Sequence, residues 1–460
     1  MGNIATTPGR ISTGRKLAIG IGDCGCNLYW QMTQLYLLFF YTDVVGLPAQ
    51  TAGLIYMIAL IWDAAMDPIV GLVADRTRSR WGRYRPYLVL GGPVLAPAFV
   101  VLFAGPGAQT AGAVAFALFS QLVFRTLYAV VAIPYASLFA RVTTDSAQRG
   151  DLTGFRMVCG ALAAIIVATL TLPLASAMGD GVGGRQGWLI LGAAYGVVAT
   201  ACLLTAAWGS RGLDVADQAD PPQRPFKEAW RSLSANRALH LLLAAIVISA
   251  FSTTMFSKNL LYYFKYIVGN AELGSMALGV MALTIVLATP LWAVALRLIG
   301  KRNSWLVGAA PTVTGLVLWH AADGQSLALL FSALVLQAIG AAAYVVCFWS
   351  MLPDTVEYGE WRTDVRTESL VFGLTVLGQK VALGLGAGAL GLALTHFGYT
   401  PNVAQSPETL QSIKNLMFWA PLAGTLISAG LIALYPIDRR AHARMVADIA
   451  ARALPPHPSR

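Results

Sequence analysis

Twelve apolar runs, each about 20 residues or longer, leave this chain one way to fold. Their limits are 17–43, 48–74, 86–105, 109–140, 153–178, 186–209, 238–267, 273–299, 304–322, 325–351, 367–396 and 412–435. In lipid every backbone N–H and C=O must bond within its own segment or barrel, so runs of this length fold as membrane-spanning helices. The first run lacks a small-residue cleavage site after a short core and reads as a retained span, not a signal peptide. Composition agrees: 57% of the 460 residues are hydrophobic and 12% charged, against about 25% charged in a soluble domain. A soluble enzyme, a disordered chain and a nucleic-acid binder are excluded. The expected class is an all-α polytopic membrane protein.

The formal charge of +10 is distributed by topology. Of 32 Lys and Arg residues, 25 fall in the tails and in alternate connections that would share one side: Met1–Lys16, 76–85, Arg141 with Arg149, 211–237, 297–302, Arg362 with Arg366, and the C-terminal tail. The positive-inside rule puts both termini in the cytoplasm, with the chain in the plasma (inner) membrane. Residues 210–237, with Asp214, Asp217, Asp220 and Arg224, form the longest polar stretch. It separates a six-span bundle over 17–209 from a second over 238–435, between an N-tail of 1–16 and a C-tail of 436–460. Cys24, Cys26, Cys159, Cys202 and Cys347 sit in or beside apolar runs without a CxxC pair. They read as packing residues, with neither a disulfide framework nor a metal centre.

Two six-span halves with both ends inside resemble a transporter of the major facilitator superfamily, in which the substrate site lies near the midplane between halves. The polar groups inside the spans fit that architecture. Asp63 and Asp67 in span two are four apart and share one helix face. Each costs about 2.5–3.5 kcal/mol at membrane depth on insertion scales. Two like charges so close stay ionised only with a cation between them. The pair therefore reads as a site for a proton, a metal ion or a basic partner, the plainer alternative being an Arg or Lys from another helix. Asp23 and Asn27 share a face of span one, Arg125 lies within span four, Arg156 in span five and Lys380 in span eleven. Carboxylates and cations on separate helices point to a hydrated cavity with opposed charges. The five histidines show no metal-ligand spacing, Gly20-x-Gly22 lacks the strand context of a dinucleotide site, and the glycines from Gly384 to Gly391 read as close helix packing. No nucleophile–base set suggests catalysis.

Three segments near the start, Tyr41-Thr42-Asp43-Val44-Val45-Gly46-Leu47, Trp62-Asp63-x-x-x-Asp67-Pro68 and Thr77-Arg78-Ser79-Arg80-Trp81-Gly82-Arg83-Tyr84-Arg85-Pro86, are joined by Ile133-Pro134-Tyr135-x-Ser137-Leu138. With Asp354-x-Val356-Glu357-Tyr358-Gly359-Glu360, Arg366-x-Glu368-Ser369 and Gly398-Tyr399-x-Pro401-Asn402-Val403, they resemble the glycoside–pentoside–hexuronide:cation symporter family, the melibiose-permease-like carriers. The resemblance implies cation-coupled symport of a sugar or glycoside by alternating access. It implies that Asp63 and Asp67 coordinate the coupling cation with Lys380 beside them, that Arg156 contacts sugar, and that Tyr128 belongs to the same pocket.

The departures bear on specificity. A sugar-binding aspartate of the family's galactoside carrier is Asn27 here, and its span-four aspartate and stacking tryptophan fall on Ala132 and Ala136. Arg125, Ala129, Ala132 and Ala136 share one helical stripe, so that wall loses an acid and gains a base. With Arg156 and Lys380 this favours an anionic or larger substrate such as a uronide. Tyr29, Trp30 or Tyr344 would stack on a neutral glycoside. Two positions that help hold sodium in the family are Met66 and Ala129, which offer no side-chain oxygen. Sodium wants several oxygens, as other hard cations do, whereas a proton needs one carboxylate. H+ is therefore expected over Na+, with Na+ at Asp63 and Asp67 the alternative. The basic 76–85 loop and the acidic loop of Asp354, Glu357 and Glu360, with Arg141 and Arg362, are expected to form an inner gate, a solvated surface being the plainer alternative. The expected partners are a small sugar or glycoside, the coupling cation and the bilayer, for a monomer without cofactor. A non-sugar amphiphile such as a lysolipid is the alternative cargo.

Overall fold

The computed structural model describes residues 11–107, 112–143, 145–213 and 226–453. The N-tail through Arg10, the linker acids Asp214, Asp217 and Asp220 with Arg224, part of the 105–110 connection, and His457 lie outside the described residues.

The described residues form helices joined by turns and loops, with no strand among them. A short α1 (Thr13–Gly20), N-capped by the Ser12 hydroxyl, leads through Ile21 into α2 (Gly22–Phe39), which ends in a π-helical turn, Phe40–Val44. Then come α3 (Ala49–Arg76), α4 (Arg85–Val101), α5 (Ala113–Val142), α6 (Ser146–Met178) and α7 (Arg185–Gly209). After the linker, a short α8 (Phe226–Ser234) precedes α9 (Arg237–Tyr263), which also ends in a π turn, Phe264–Val268. The remaining helices are α10 (Ala271–Ile299), α11 (Lys301–Ala322), α12 (Leu327–Thr363), α13 (Glu368–His396), α14 (Pro407–Ala433) and α15 (Arg439–Ala453). Ten are long and apolar enough to cross a membrane, and α4 is a shorter apolar helix. With α2 and its π turn they make the twelve crossings expected, in an all-α major-facilitator fold.

Three boundaries differ from the sequence reading. Residues 226–234 of the expected central loop and 439–453 of the expected tail are helices, α8 and α15. Both are too polar for lipid, which is why hydropathy passes over them. The stretch with Asp354 and Glu357, expected to be a loop, continues α12 to Thr363, where Asp364 closes the helix with a left-handed φ of 57°.

The chain divides into two compact units. One holds the described residues of the first half together with Phe264–Gly279 and Leu390–Ser406; the other holds the rest of the second half. Two segments of the expected 238–435 bundle thus belong to the first unit. In the first unit α2 packs on α6 and α7, and α3 on α5. Small residues let these backbones approach: a Cβ on Gly25 would lie 2.7 Å from the Ala199 carbonyl oxygen. In the second, α11 packs along α12 and α9 along α14. A Cβ on Gly315 would fall 2.6 Å from the Ala333 carbonyl oxygen, and one on Gly386 2.8 Å from that of Phe251, as expected for the small residues of α13. All five cysteines are free thiols.

Candidate cation and substrate site

The cation candidates lie on α3. Helical spacing puts Asp63 and Asp67 on one face, and Pro68 withholds the N–H that would otherwise meet the Ala64 carbonyl, so polarity concentrates at this turn. Asp63 is fully buried and Asp67 half-buried. Opposite Asp63, α5 brings Arg125, with 1% of its side chain exposed and Nη1 3.8 Å from Asp63 Oδ2. The guanidinium carbon also sits 5.3 Å from the Trp30 ring and 5.8 Å from the Tyr56 ring. Trp62 Nε1 donates to Thr126 Oγ1 at 2.9 Å, fixing the same pair of helices. Met66 is half-buried beside the acids and Ala129 is buried on α5.

Arg125 was expected on the substrate-facing wall. Along its stripe, Arg125 and Ala129 are buried, Ala132 is half-buried and Ala136 is exposed. Spacing identifies the shared face, but depth changes along it, and Arg125 stands at the closed end next to Asp63.

A second polar group joins α2 and α6. Arg156 Nε donates to Asp23 Oδ1 at 2.7 Å, and Asn27 Nδ2 donates to the Asp23 carbonyl and Oδ2 at 2.9 and 3.1 Å. The arginine is 37% exposed and the aspartate 14%, so the pair is open to a ligand from one side. Its guanidinium lies 5.1 Å from the Phe139 ring. Tyr128 stacks on Trp30 with centroids 6.0 Å apart, its hydroxyl 3.5 Å from the Cys26 carbonyl oxygen. Gly160 on α6 makes room: a Cβ there would collide with Asp23 Oδ2 and lie 2.9 Å from Asn27 Nδ2. Asp23, Asn27, Tyr128 and Arg156 therefore meet in the first unit. Tyr29 does not serve as a stacking face, because it is fully buried with its hydroxyl on the Gly196 carbonyl at 3.2 Å.

Tyr344 and Lys380 belong to the second unit. Tyr344 lines a small, mainly apolar cavity with Phe256, Met281, Thr312, Gln337 and Thr425, and its ring packs 5.3 Å from that of Trp305. Lys380 is half-buried on α13. The residues expected at an inner gate find partners close by. Lys301 Nζ bonds both oxygens of Asp354 at 2.7 and 2.9 Å, and His442 of α15 meets Glu357 at 2.7 Å. Arg362 turns back on the Tyr358 hydroxyl of its own helix, 3.2 Å from Nη2, and Arg141 lies over the Tyr84 ring. The acids of α12 are thus tied to α11 and α15. The His442 contact was not expected because it needs the tail to be helical.

One cluster was missed altogether. Asp43, in the π turn after α2, is buried and accepts from Lys265 Nζ at 2.5 Å, Tyr266 OH at 2.6 Å, Thr42 Oγ1 at 2.6 Å and Tyr399 OH at 2.8 Å. Asn402 Nδ2 donates to its backbone carbonyl at 2.8 Å, and Lys265 reaches Asn402 Oδ1 at 2.6 Å. The motifs around Tyr41-Thr42-Asp43 and Tyr399-x-Pro401-Asn402 meet here, which was the available signal.

Residues 18–439 match the MFS/sugar transport protein family. The chain belongs to that family. Within it, the isoprimeverose transporter of Lactiplantibacillus pentosus is 30% identical over 438 residues, 94% of this chain and 90% of that protein. The glucuronide carrier protein homolog of Escherichia coli (strain K12) is 28% identical over 94% of each chain. A crystal structure of a bacterial homologue of the human lysosomal transporter Spinster aligns with a TM-score of 0.72 at 14% identity, over 95% of this chain and 98% of that one. That likeness shows the fold alone. This MFS/sugar transport family member is a multi-pass membrane transporter of the glycoside–pentoside–hexuronide symporter group, not an enzyme.

Proposed function

We propose that the protein is a proton-coupled symporter of a glycoside or uronide, working by alternating access in the plasma membrane with both termini in the cytoplasm. The observation that carries the coupling is the α3–α5 cluster, where Asp63 faces Arg125, Asp67 lies one helical turn on, and Met66 and Ala129 supply no side-chain oxygen. A sodium shell needs several oxygens; a proton needs a single carboxylate. Asp67, the more accessible acid, is the coupling residue in this reading. Substrate binds at the Asp23–Asn27–Arg156 group, where the arginine fork suits a carboxylate or paired hydroxyls. Tyr128 and Trp30 supply a nearby aromatic wall. The relatives named for isoprimeverose and for glucuronide support a sugar-derived cargo.

The test is accumulation in proteoliposomes of a panel of neutral glycosides and uronides, under an imposed proton gradient and separately a sodium gradient. Accumulation of at least one panel member with the proton gradient alone is expected. Accumulation with sodium alone contradicts proton coupling, and transport of lysolipid but of no sugar contradicts the cargo.

A further inference from the structure

We infer that the guanidinium of Arg125 is a tethered cation, which fills at Asp63 the place that a free alkali-metal ion would otherwise take. The inference deepens the proton-coupled reading above and rests on it. Three observations converge within one unit. Arg125 and Asp63 are 1% and 0% exposed and 3.8 Å apart, so each is the other's charge partner away from water. The guanidinium lies within 6 Å of two aromatic rings, Trp30 and Tyr56, which with a carboxylate is the surrounding that holds a cation. Its Nε, Nη1 and Nη2 meet no acceptor in hydrogen-bonding geometry, so charge and ring faces hold it, not a fixed hydrogen-bond fork.

The consequence is a division of labour between the two acids. Asp63 faces a counter-charge that cannot leave, because it is covalently part of α5. In the proton-coupled reading Asp67 is the acid that exchanges its cation with water. One monovalent ion then moves per cycle, and alkali-metal ions do not compete for the Asp63 pocket. A side chain that kept the space but lost the charge would open that pocket to sodium or lithium.

The experiment uses the purified full-length protein in lipid nanodiscs and reads the unfolding temperature in sodium chloride against choline chloride of equal concentration. Wild type is expected to show no sodium-specific shift. Arg125→Gln is expected to gain a saturable rise of about 2 °C or more, lost again in the Arg125→Gln/Asp63→Asn double variant. Where Arg125→Gln does not fold, Arg125→His at pH 8 takes its place, since an imidazole with a pKa of about 6.5 is neutral there. A folded variant with no sodium response, beside an equally unresponsive wild type, overturns the tethered-cation assignment and leaves proton coupling standing. A wild-type sodium response that Asp63→Asn abolishes overturns both. A wild-type response that Asp67→Asn abolishes and Asp63→Asn retains overturns proton coupling while supporting the assignment of Arg125.

Discussion

Lys265 Nζ lies 2.5 Å from Asp43 Oδ1, a pair 222 residues apart in sequence, with the lysine side chain 22% exposed and the aspartate 1%. A buried carboxylate is tolerated only when its lone pairs are filled, and here Lys265, Tyr266, Thr42 and Tyr399 fill them. Both π turns, Phe40–Val44 and Phe264–Val268, deliver members of the cluster. A π turn redirects side chains at the end of a helix and recurs at functional positions.

Asp43→Asn keeps the shape and removes the charge, leaving Lys265 without its carboxylate. The expected cost is about 3 kcal/mol, the usual penalty for breaking a buried pair. Lys265→Met should cost a similar amount, and the double variant clearly less than the two single costs together, because both remove the same interaction. Denaturant unfolding of the purified variants measures this, and strict additivity would show that the pair is not coupled.

Gly160→Ala places a methyl group against Asp23 Oδ2 and within 2.9 Å of Asn27 Nδ2. Both are ends of side chains that can give way, so the fold should survive while the Asp23–Arg156 pair is displaced. Substrate KM is expected to rise about tenfold, a loss of roughly 1.4 kcal/mol of binding. Unchanged uptake kinetics would remove this group from the substrate site.

Arg156→Lys keeps a positive charge but loses the planar fork that now meets Asp23 at 2.7 Å. Uptake of a uronide is expected to fall about tenfold or more, with binding weakened in proportion. If lysine supports full uptake, the arginine contributes charge only.

Helix α15 is held by its first turn. Asp438 Oδ1 accepts from the Ala441 N–H at 2.7 Å, and that bond holds the carboxyl below its usual range. A carboxyl depressed in the folded state contributes stability that is present above its unfolded pKa of about 3.9 and is lost as pH falls through the folded value. The docking of α15 should therefore weaken below about pH 4. Asp438→Ala should cost this helix about 1 kcal/mol at neutral pH, seen as roughly fivefold faster amide exchange across residues 439–453. Exchange that ignores both pH and the substitution would mean that the cap contributes nothing.

The twelve crossings are legible in the sequence because lipid penalises every unbonded peptide group, so hydropathy alone marks where helices must run. Asp63 and Asp67 are legible for the same reason, since a carboxylate at that depth is too costly to be incidental. Pairings between distant segments are not. Asp43 and Tyr399 are 356 residues apart, and nothing local to either tells which donor reaches it. Arg125 shows the limit of periodicity: spacing gives the face it shares with Ala132 and Ala136, while its depth depends on Trp30 and Tyr56 packing over it. Helices α8 and α15 escape hydropathy because they are amphipathic rather than apolar, and with α15 goes the contact of His442 with Glu357.

The most direct test of the account is proton movement on addition of substrate to lightly buffered proteoliposomes, in wild type and in Asp67→Asn. The account predicts external alkalinisation by wild type, one proton per substrate molecule, unaffected by replacing sodium with choline, and no proton movement in the variant. Substrate entry without proton movement, or entry that stops when sodium is withdrawn, would contradict it.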